Sequence, residues 1–215
     1  MPTSSAPEDG MVYVVDDDGP VRRSIERLIR SWRIQATSFP SAATYLDWVR
    51  QTPPPAACCL VLDVCMPGSD GLELQQTLAD QSMQIVFLTG HGDVPTCATA
   101  MKAGAVDFLT KPVEEDRLYG AVTIALEKSR QARREAQESI SARKRLHTLT
   151  TRETEVMRCV IAGMLNKQIA DVLGAAEKTV KIHRGRVMEK MGVYSVADLV
   201  RAAQAAGVRP METVL

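Results

Sequence analysis

The stretch Cys58-Cys59-Leu60-Val61-Leu62-Asp63 decides the fold. An unbroken apolar run that ends in a carboxylate reads as a strand buried on both faces. That is the mark of a parallel sheet, because a strand with one wet face alternates. Ile85-Val86-Phe87-Leu88 repeats the pattern and ends at Thr89. Upstream, Met11-Val12-Tyr13-Val14-Val15 runs into Asp16-Asp17-Asp18. Ile34 to Ser38 is a weaker strand, and Val106 to Leu109 is a fifth. Helical spacing fills the intervals. Val21, Ile25, Leu28 and Ile29 follow Gly19-Pro20, with proline at the first helical position. Tyr45, Leu46 and Val49 follow Ser41, a capping residue. Leu72, Leu74 and Leu78 mark a third helix, and Val94 to Ala103 a fourth. Pro53-Pro54-Pro55 reads as loop. Five strands alternating with helices predict an α/β, doubly wound, five-stranded parallel domain over residues 11–126.

The pattern then changes. From Glu114 to about His147 there is no proline and no long apolar run, so 127–147 reads as a helical linker. A 4-3 spacing links Leu118, Val122, Ala125, Ser129, Ala132, Ala136, Ser139, Arg143 and Leu146. Its later positions are small or polar, so a solvated linker helix accounts for them at least as well as a coiled coil. Residues 148–215 read as an all-α four-helix unit. Thr150-x-x-Glu153 is a capping box. Helices over Asn166–Leu173, Glu177–Met191 and Ser195–Ala206 are closed by Gly174, Gly192 and Gly207. The second and third of the four, joined by a tight turn, have helix-turn-helix layout.

Charge follows the same division. The 215 residues carry 26 basic and 26 acidic side chains, a formal net charge of zero. Residues 1–126 hold nine basic and sixteen acidic residues, and residues 127–215 hold seventeen basic and ten acidic. The halves therefore carry −7 and +7, which suggests two domains, one of which meets a polyanion. Of the basic excess, +4 lies on 127–147, so the case for the helical bundle rests on its motif more than on its charge. No apolar run approaches the ~20 residues that span a bilayer, and Met1 to Gly10 lacks the basic start and apolar core of a secretory signal. The expectation is a cytoplasmic protein with no membrane partner. Five cysteines without a Cys-x-x-Cys pair argue against a disulfide framework or zinc site, and read as small buried hydrophobes.

Ligands of an open parallel sheet lie beyond the carboxyl ends of its strands. At that edge stand Asp16, Asp17 and Asp18, Asp63, Thr89 and, two residues past the fifth strand, Lys111. Converging carboxylates repel each other unless a hard divalent cation sits among them, and Mg2+ suits a few carboxylates with phosphate oxygens. A carboxylate beside it can attack phosphorus and form an acyl phosphate. A hydroxyl at Thr89 and an ammonium at Lys111 suit the remaining phosphoryl oxygens. Any one of these residues has a plain structural reading as a cap, turn or strand end, and for Asp18 the cap is preferred. Their coincidence at one edge is what favours the chemical reading.

Four motifs in register carry a resemblance. They are Val15-Asp16-Asp17, Leu62-Asp63-Val64-Cys65-Met66-Pro67-Gly68, Thr89-Gly90-His91-Gly92-Asp93 and Ala103-Gly104-Ala105-Val106-Asp107-Phe108-Leu109-Thr110-Lys111-Pro112. Residues 11–126 resemble bacterial response-regulator receiver domains, most nearly of the FixJ branch. The resemblance implies that Asp63 takes phosphate from a sensor histidine kinase. It implies that Asp17, Asp63 and the backbone carbonyl of Cys65 bind Mg2+, with Asp16 acting through water. Thr89 and Phe108 would form the switch pair, Lys111 would hold the phosphoryl group, and Lys111-Pro112 would be a candidate cis bond. Position 65 is often Arg or Asn in the family, but a backbone ligand does not depend on the side chain.

A second resemblance covers about residues 148–208. Leu149-Thr-Thr-Arg-Glu-Thr-Glu-Val156, Asn166-Lys167-x-Ile169-Ala170, Thr179-Val180-Lys181-x-His183 and Lys190-Met-Gly-Val193 are similar to the LuxR-type DNA-binding domain. Carried over by position, Lys181, Ile182, Arg184 and Gly185 approach bases. Asn166, Lys167, Lys178 and Thr179 sit nearer the DNA backbone. His183 orients or packs. Where the family usually has Ile-Ser at the turn this chain has Ala175-Ala176, so a serine cap worth about 1 kcal/mol is lost.

Together these readings imply a two-component response regulator of the NarL/FixJ type, not an enzyme. Phosphorylation would promote homodimerisation and promoter binding, activating transcription with RNA polymerase as a partner. Two rivals stand beside it. One is a phosphorylation-independent DNA-binding regulator whose receiver serves only as a dimerisation module. The other is an acyl-phosphate phosphohydrolase, which would need a second acid/base carboxylate and a lid, and would leave the basic half without a role.

Overall fold

The computed structural model describes residues 10–52, 57–66, 69–78, 83–90 and 94–211. The predicted loop at Pro53-Pro54-Pro55 lies outside them. The chain divides into two compact units, residues 1–133 and 134–215. In the first, strands β1 (Gly10–Val15), β2 (Gln35–Phe39), β3 (Ala57–Asp63), β6 (Gln84–Thr89) and β7 (Asp107–Thr110) form one sheet. Its order is β2-β1-β3-β6-β7 and every pairing is parallel. A two-stranded antiparallel ribbon, β4 (Cys65–Met66) with β5 (Ser69–Asp70), follows β3 and had no counterpart in the sequence reading. Helices α1 (Gly19–Ser31), α2 (Ala42–Gln51), α3 (Gly71–Thr77), α4 (Val94–Lys102) and the 32-residue α5 (Glu115–Leu146) complete the sequence of elements.

Both faces of the sheet are covered, as the apolar runs required. Val12, Val14, Cys59 and Val61 point to a core filled by Ile25 and Ile29 of α1 and by Leu118, Val122 and Leu126 of α5. The alternate residues Tyr13, Val15, Leu60 and Leu62 face Tyr45 of α2, Leu74 of α3 and Ala100 of α4. Asp18 caps α1 through its carboxylate, which accepts from the Val21 amide, and Ser41 caps α2.

The 4-3 seam has a plain origin in its first half. Leu118, Val122 and Ala125 are buried in the sheet's core, and Ser129 is buried where its Oγ accepts the Cys58 amide at 3.0 Å. That half of the pattern records packing on the sheet, not pairing with another helix. The cysteines divide: Cys58, Cys59 and Cys159 are buried as expected, whereas Cys65 is exposed and Cys97 half-buried. Cys65 departs because successive residues of β4 face opposite ways, so Met66 is buried and Cys65 is not.

The second unit contains the last part of α5 with α6 (Thr151–Ile161), α7 (Asn166–Leu173), α8 (Glu177–Met191) and α9 (Val196–Ala205). Val156, Val160, Ile169, Val180, Val187, Met191 and Leu199 form its core. Within it, Arg145 of α5 donates to the Met191 carbonyl at 2.8 Å. The capping box at Thr150 and Glu153 is present as read. Glu153 is buried, and it also accepts from Lys190 Nζ at 2.6 Å. That hydrogen bond, with the Thr150 amide, holds its carboxyl below the ordinary 4.5. A lowered folded-state pKa contributes stability that is present above the unfolded value and is lost as pH falls through the folded one.

Glu153→Gln retains a capping residue at this position but removes the charge. We expect it to lower the protection of α6 amides at neutral pH by about 1.5–3 kcal/mol, the worth of a charged hydrogen bond. Hydrogen exchange on the full chain measures this, and the gap between variant and wild type should close as pH falls below 4.5. Gly71 shows a second constraint. A Cβ there would lie 2.5 Å from the Asp63 carbonyl oxygen and 3.2 Å from the Val64 Cα, which are backbone atoms. Gly71→Ala should destabilise the first unit by about 1–3 kcal/mol, the usual cost of overpacking, read as a lower denaturation midpoint.

Candidate functional site

The carboxyl ends of four strands bring their residues together at one edge of the sheet. Asp16 follows β1, Asp63 ends β3, Thr89 ends β6 and Lys111 follows β7. β1 and β3 are neighbours where the strand order reverses, which opens a crevice between the connections leaving them. Asp16, Asp17 and Asp63 each bring a carboxylate oxygen to within 4.8 Å of the others. Asp16 and Asp63 are buried, and Asp17 is exposed. The Lys111 ammonium bridges the buried pair, 2.7 Å from Asp16 Oδ2 and 2.7 Å from Asp63 Oδ2.

The electrostatics follow from burial and this bridge. Burial raises the Asp16 carboxyl above its ordinary value, against the hydrogen bond and charge of Lys111. Burial also works to lower the Lys111 ammonium, but its bonds to Asp16 and Asp63 outweigh this and carry it above the ordinary value. Lys111 is therefore held charged. Its own amide donates to the Thr89 carbonyl at 2.7 Å, which joins β7 to the strand bearing the hydroxyl. Cys65 lies two residues past the end of β3, and its amide donates to Asp63 Oδ1 at 3.3 Å. The peptide bond Lys111-Pro112 is cis.

Phe108 is half-buried and lies level with Phe87 in the β6–β7 register, their ring centroids 6.0 Å apart. Thr89 is buried two residues beyond Phe87, so with a strand period of two it shares that face with Phe108. The oxygen donors suit a hard cation such as Mg2+, because carboxylates and carbonyls match its preference.

Two residues of the pocket were not found from sequence. Arg22, one turn into α1, donates to the Asp16 carbonyl at 2.6 Å and the Asp17 carbonyl at 3.4 Å. It clamps the backbone of the acidic loop. Gly71 lets the start of α3 press on the Asp63–Val64 backbone, where its amide donates to the Val64 carbonyl at 3.1 Å. The available signals were a basic residue one helical turn past an acidic cluster and the Asp70-Gly71 dipeptide. Neither is specific without the fold.

The helix-turn-helix residues lie on α7 and α8 of the second unit. On α8, Val180, Val187 and Met191 are buried, while Lys178, Thr179, Lys181, Ile182 and Gly185 are exposed and Arg184 is half-buried. On α7, Lys167 is exposed and Asn166 half-buried, and Asn166 Oδ1 accepts from Arg184 at 3.1 Å. His183 is half-buried, consistent with packing. Ala176 caps α8 without a side-chain hydrogen bond, as its sequence implied. A Cβ at Gly185 would meet nothing within 4 Å, so packing inside the protein does not require a glycine there.

Comparison with known proteins agrees with both units. Residues 12–123 match the response regulator receiver domain, and residues 147–203 match the bacterial regulatory proteins of the luxR family. The chain belongs to the response regulators of the NarL/FixJ type: it is a DNA-binding transcriptional regulator and not an enzyme. It is similar to Nodulation protein W of Bradyrhizobium diazoefficiens, with 45% identity over 213 residues, 98% of this chain and 92% of that protein. Transcriptional regulatory protein FixJ of Azorhizobium caulinodans is 40% identical over 208 residues, 96% of this chain and 97% of the other. The solved structure of the response regulator StyR has a TM-score of 0.76 and 41% identity, covering 91% of this chain and 98% of that one. A receiver joined to a LuxR-type domain indicates a histidine kinase and promoter DNA as partners. Among the described residues no helix is long and apolar enough to cross a membrane.

Arg22→Ala should leave the sheet folded while freeing the loop that carries Asp16 and Asp17. Loss of a group that orients metal ligands costs about 10–100-fold in affinity. Calorimetric titration with Mg2+ should show weakening in that range, and unchanged affinity would mean the clamp does not position the carboxylates.

Proposed function

We propose that Asp63 is the phosphoryl acceptor and that its phosphorylation controls DNA binding by the second unit. The observation that carries this reading is the Lys111 ammonium bridging Asp16 and Asp63 beside Asp17, at the open edge of the sheet. A carboxylate oxygen of Asp63 attacks phosphorus of the kinase phosphohistidine. The new O–P bond forms as the N–P bond breaks, and the electron pair leaves with the imidazole, which takes a proton. Asp17, Asp63 and the Cys65 carbonyl would hold Mg2+, with Asp16 reaching it through water. When bound, the ion offsets charge on the phosphoryl oxygens. Lys111 turns its ammonium to a phosphoryl oxygen, and the Thr89 hydroxyl donates to another. Thr89 and Phe108 share a face, so drawing Thr89 toward the phosphoryl group alters the space that Phe108 can occupy.

That rearrangement biases a two-state element, and its surface is α4, β7 and the first turns of α5. Val94 is 82% exposed there and Met101 and Ile124 are also exposed, apolar area that a second copy would cover. A homodimer presents two DNA-binding units to a two-fold operator and raises their effective concentration. Domain limits of 11–126 for the receiver, 127–147 for the linker and 148–215 for the DNA-binding unit fit this scheme. Lys181, Ile182, Arg184 and Gly185 face bases, and Asn166, Lys167, Lys178 and Thr179 face phosphates. Gly185 costs its helix about 1 kcal/mol relative to alanine, with no internal contact to explain it, which favours close approach of a ligand. Activation through RNA polymerase completes the reading.

Incubation with a small-molecule acyl phosphate and Mg2+ tests it. The wild-type chain should acquire a hydroxylamine-labile label, dimerise and bind promoter DNA more tightly, and Asp63→Asn should do none of these. Labelling that persists in the variant would place the phosphate elsewhere. Labelling without a change in dimerisation or DNA affinity would favour the phosphorylation-independent regulator.

A further inference from the structure

The two helices of the helix-turn-helix are tied by one polar contact whose chemistry leaves no ambiguity of direction. Arg184 of α8 donates through Nη1 to Asn166 Oδ1, the first residue of α7, at 3.1 Å. Both side chains are half-buried, and they lie eighteen residues apart in the chain. A guanidinium has donors only, so the amide of Asn166 must offer its oxygen. Its NH2 group is then turned away from Arg184, with two donors left. The rest of the local framework is occupied: Gln168 satisfies the Leu165 amide at 2.8 Å and so starts α7 without the help of Asn166. Asn166 is therefore not needed as a helix cap, and its side chain is free to serve the contact with Arg184.

We infer that Asn166 is a positioning residue that sets the specificity of DNA reading, by holding the Arg184 guanidinium in the orientation that reads a guanine. This rests on the proposal that α8 enters the major groove. Arginine reads guanine by two parallel hydrogen bonds to O6 and N7, and that match requires the plane of the guanidinium to be fixed. A long arginine side chain samples many rotamers unless a neighbouring group holds that plane. Gly185 supplies no side chain, and a Cβ there would meet nothing within 4 Å. Asn166 supplies the restraint from the neighbouring helix. One Nη is held by the amide oxygen, leaving Nε and the other Nη directed toward the base. The same geometry leaves the Asn166 NH2 available to a phosphate oxygen. One amide thus couples a sequence-independent contact on α7 to a base contact on α8, so the arginine reads in register with the DNA backbone.

The test uses the full-length chain, treated with acyl phosphate and Mg2+, and a pool of duplexes with a randomised core. Wild type, Asn166→Ala, Asn166→Asp and Arg184→Ala are each carried through selection, and the enriched base frequencies are compared. Asn166→Ala should relax the preference at the same guanine position that Arg184→Ala relaxes, by about tenfold, while other positions keep their preference. Asn166→Asp keeps an acceptor for Arg184 and loses the donors. It should retain the guanine preference while binding all sequences more weakly, and it serves as the folded control should the alanine variant be unstable. A uniform loss of affinity in Asn166→Ala with an unchanged base profile would overturn the inference and leave Asn166 as a phosphate contact alone. Loss of the guanine preference in Asn166→Asp would overturn it as well. If the wild-type chain enriches no sequence, the underlying reading of α8 fails, and that outcome is distinct from the other two.

Discussion

Three carboxylates drawn to within 4.8 Å would push the edge of the sheet apart if nothing offset their charge. The Lys111 ammonium does so, at 2.7 Å from two of them. Burial makes the arrangement costly for each partner alone, since it raises the Asp16 carboxyl and works against the Lys111 ammonium. The surrounding elements are organised to hold it. Arg22 on α1 grips the loop behind Asp16, the start of α3 packs on the Asp63 backbone because Gly71 has no Cβ, and β7 delivers Lys111 through its bond to Thr89. A site built this way is sensitive to added charge. A phosphoryl group on Asp63 would compete for the same ammonium, which is why one covalent event could be felt along β6 and β7.

The second unit relies on a different balance. Its apolar core holds α6, α7, α8 and α9 together, and a buried glutamate joins the start of α6 to the end of α8 through Lys190. Against that stand features of α8 that cost stability: an N-terminus capped by alanine and a glycine in mid-helix with open space beside it. Helix propensity and capping together account for about 2 kcal/mol here, an amount the core can offset. Their position on the exposed side of α8 fits selection for a surface that meets a ligand. Each unit also bonds to its own part of α5. Ser129 bonds to β3 in the first, and Ser139 and Arg145 bond to the Ala205 and Met191 carbonyls in the second. The segment read as a linker is thus engaged near both ends.

The amino-acid sequence by itself determined the five strands of the main sheet and the helices between them, the parallel sheet, the caps at Asp18, Ser41 and Thr150, and the placing of Asp16, Asp17, Asp63, Thr89 and Lys111 at one edge, but not the β4–β5 ribbon. These are legible because they depend on short-range patterns: unbroken apolar runs, helical spacing, and carboxylates at strand ends. Only the tertiary structure decided which charges touch. The bridge from Lys111 spans 95 residues to Asp16 and 48 to Asp63, and no local pattern encodes that distance. The same holds for the Arg22 clamp, for the steric need at Gly71, for Asn166 meeting Arg184, and for Ser129 spending part of an apparent coiled-coil seam on the sheet. Each depends on backbone atoms brought close by packing of elements far apart in the chain. Periodicity records which face of an element is apolar, whereas the partner that covers it is set by the fold.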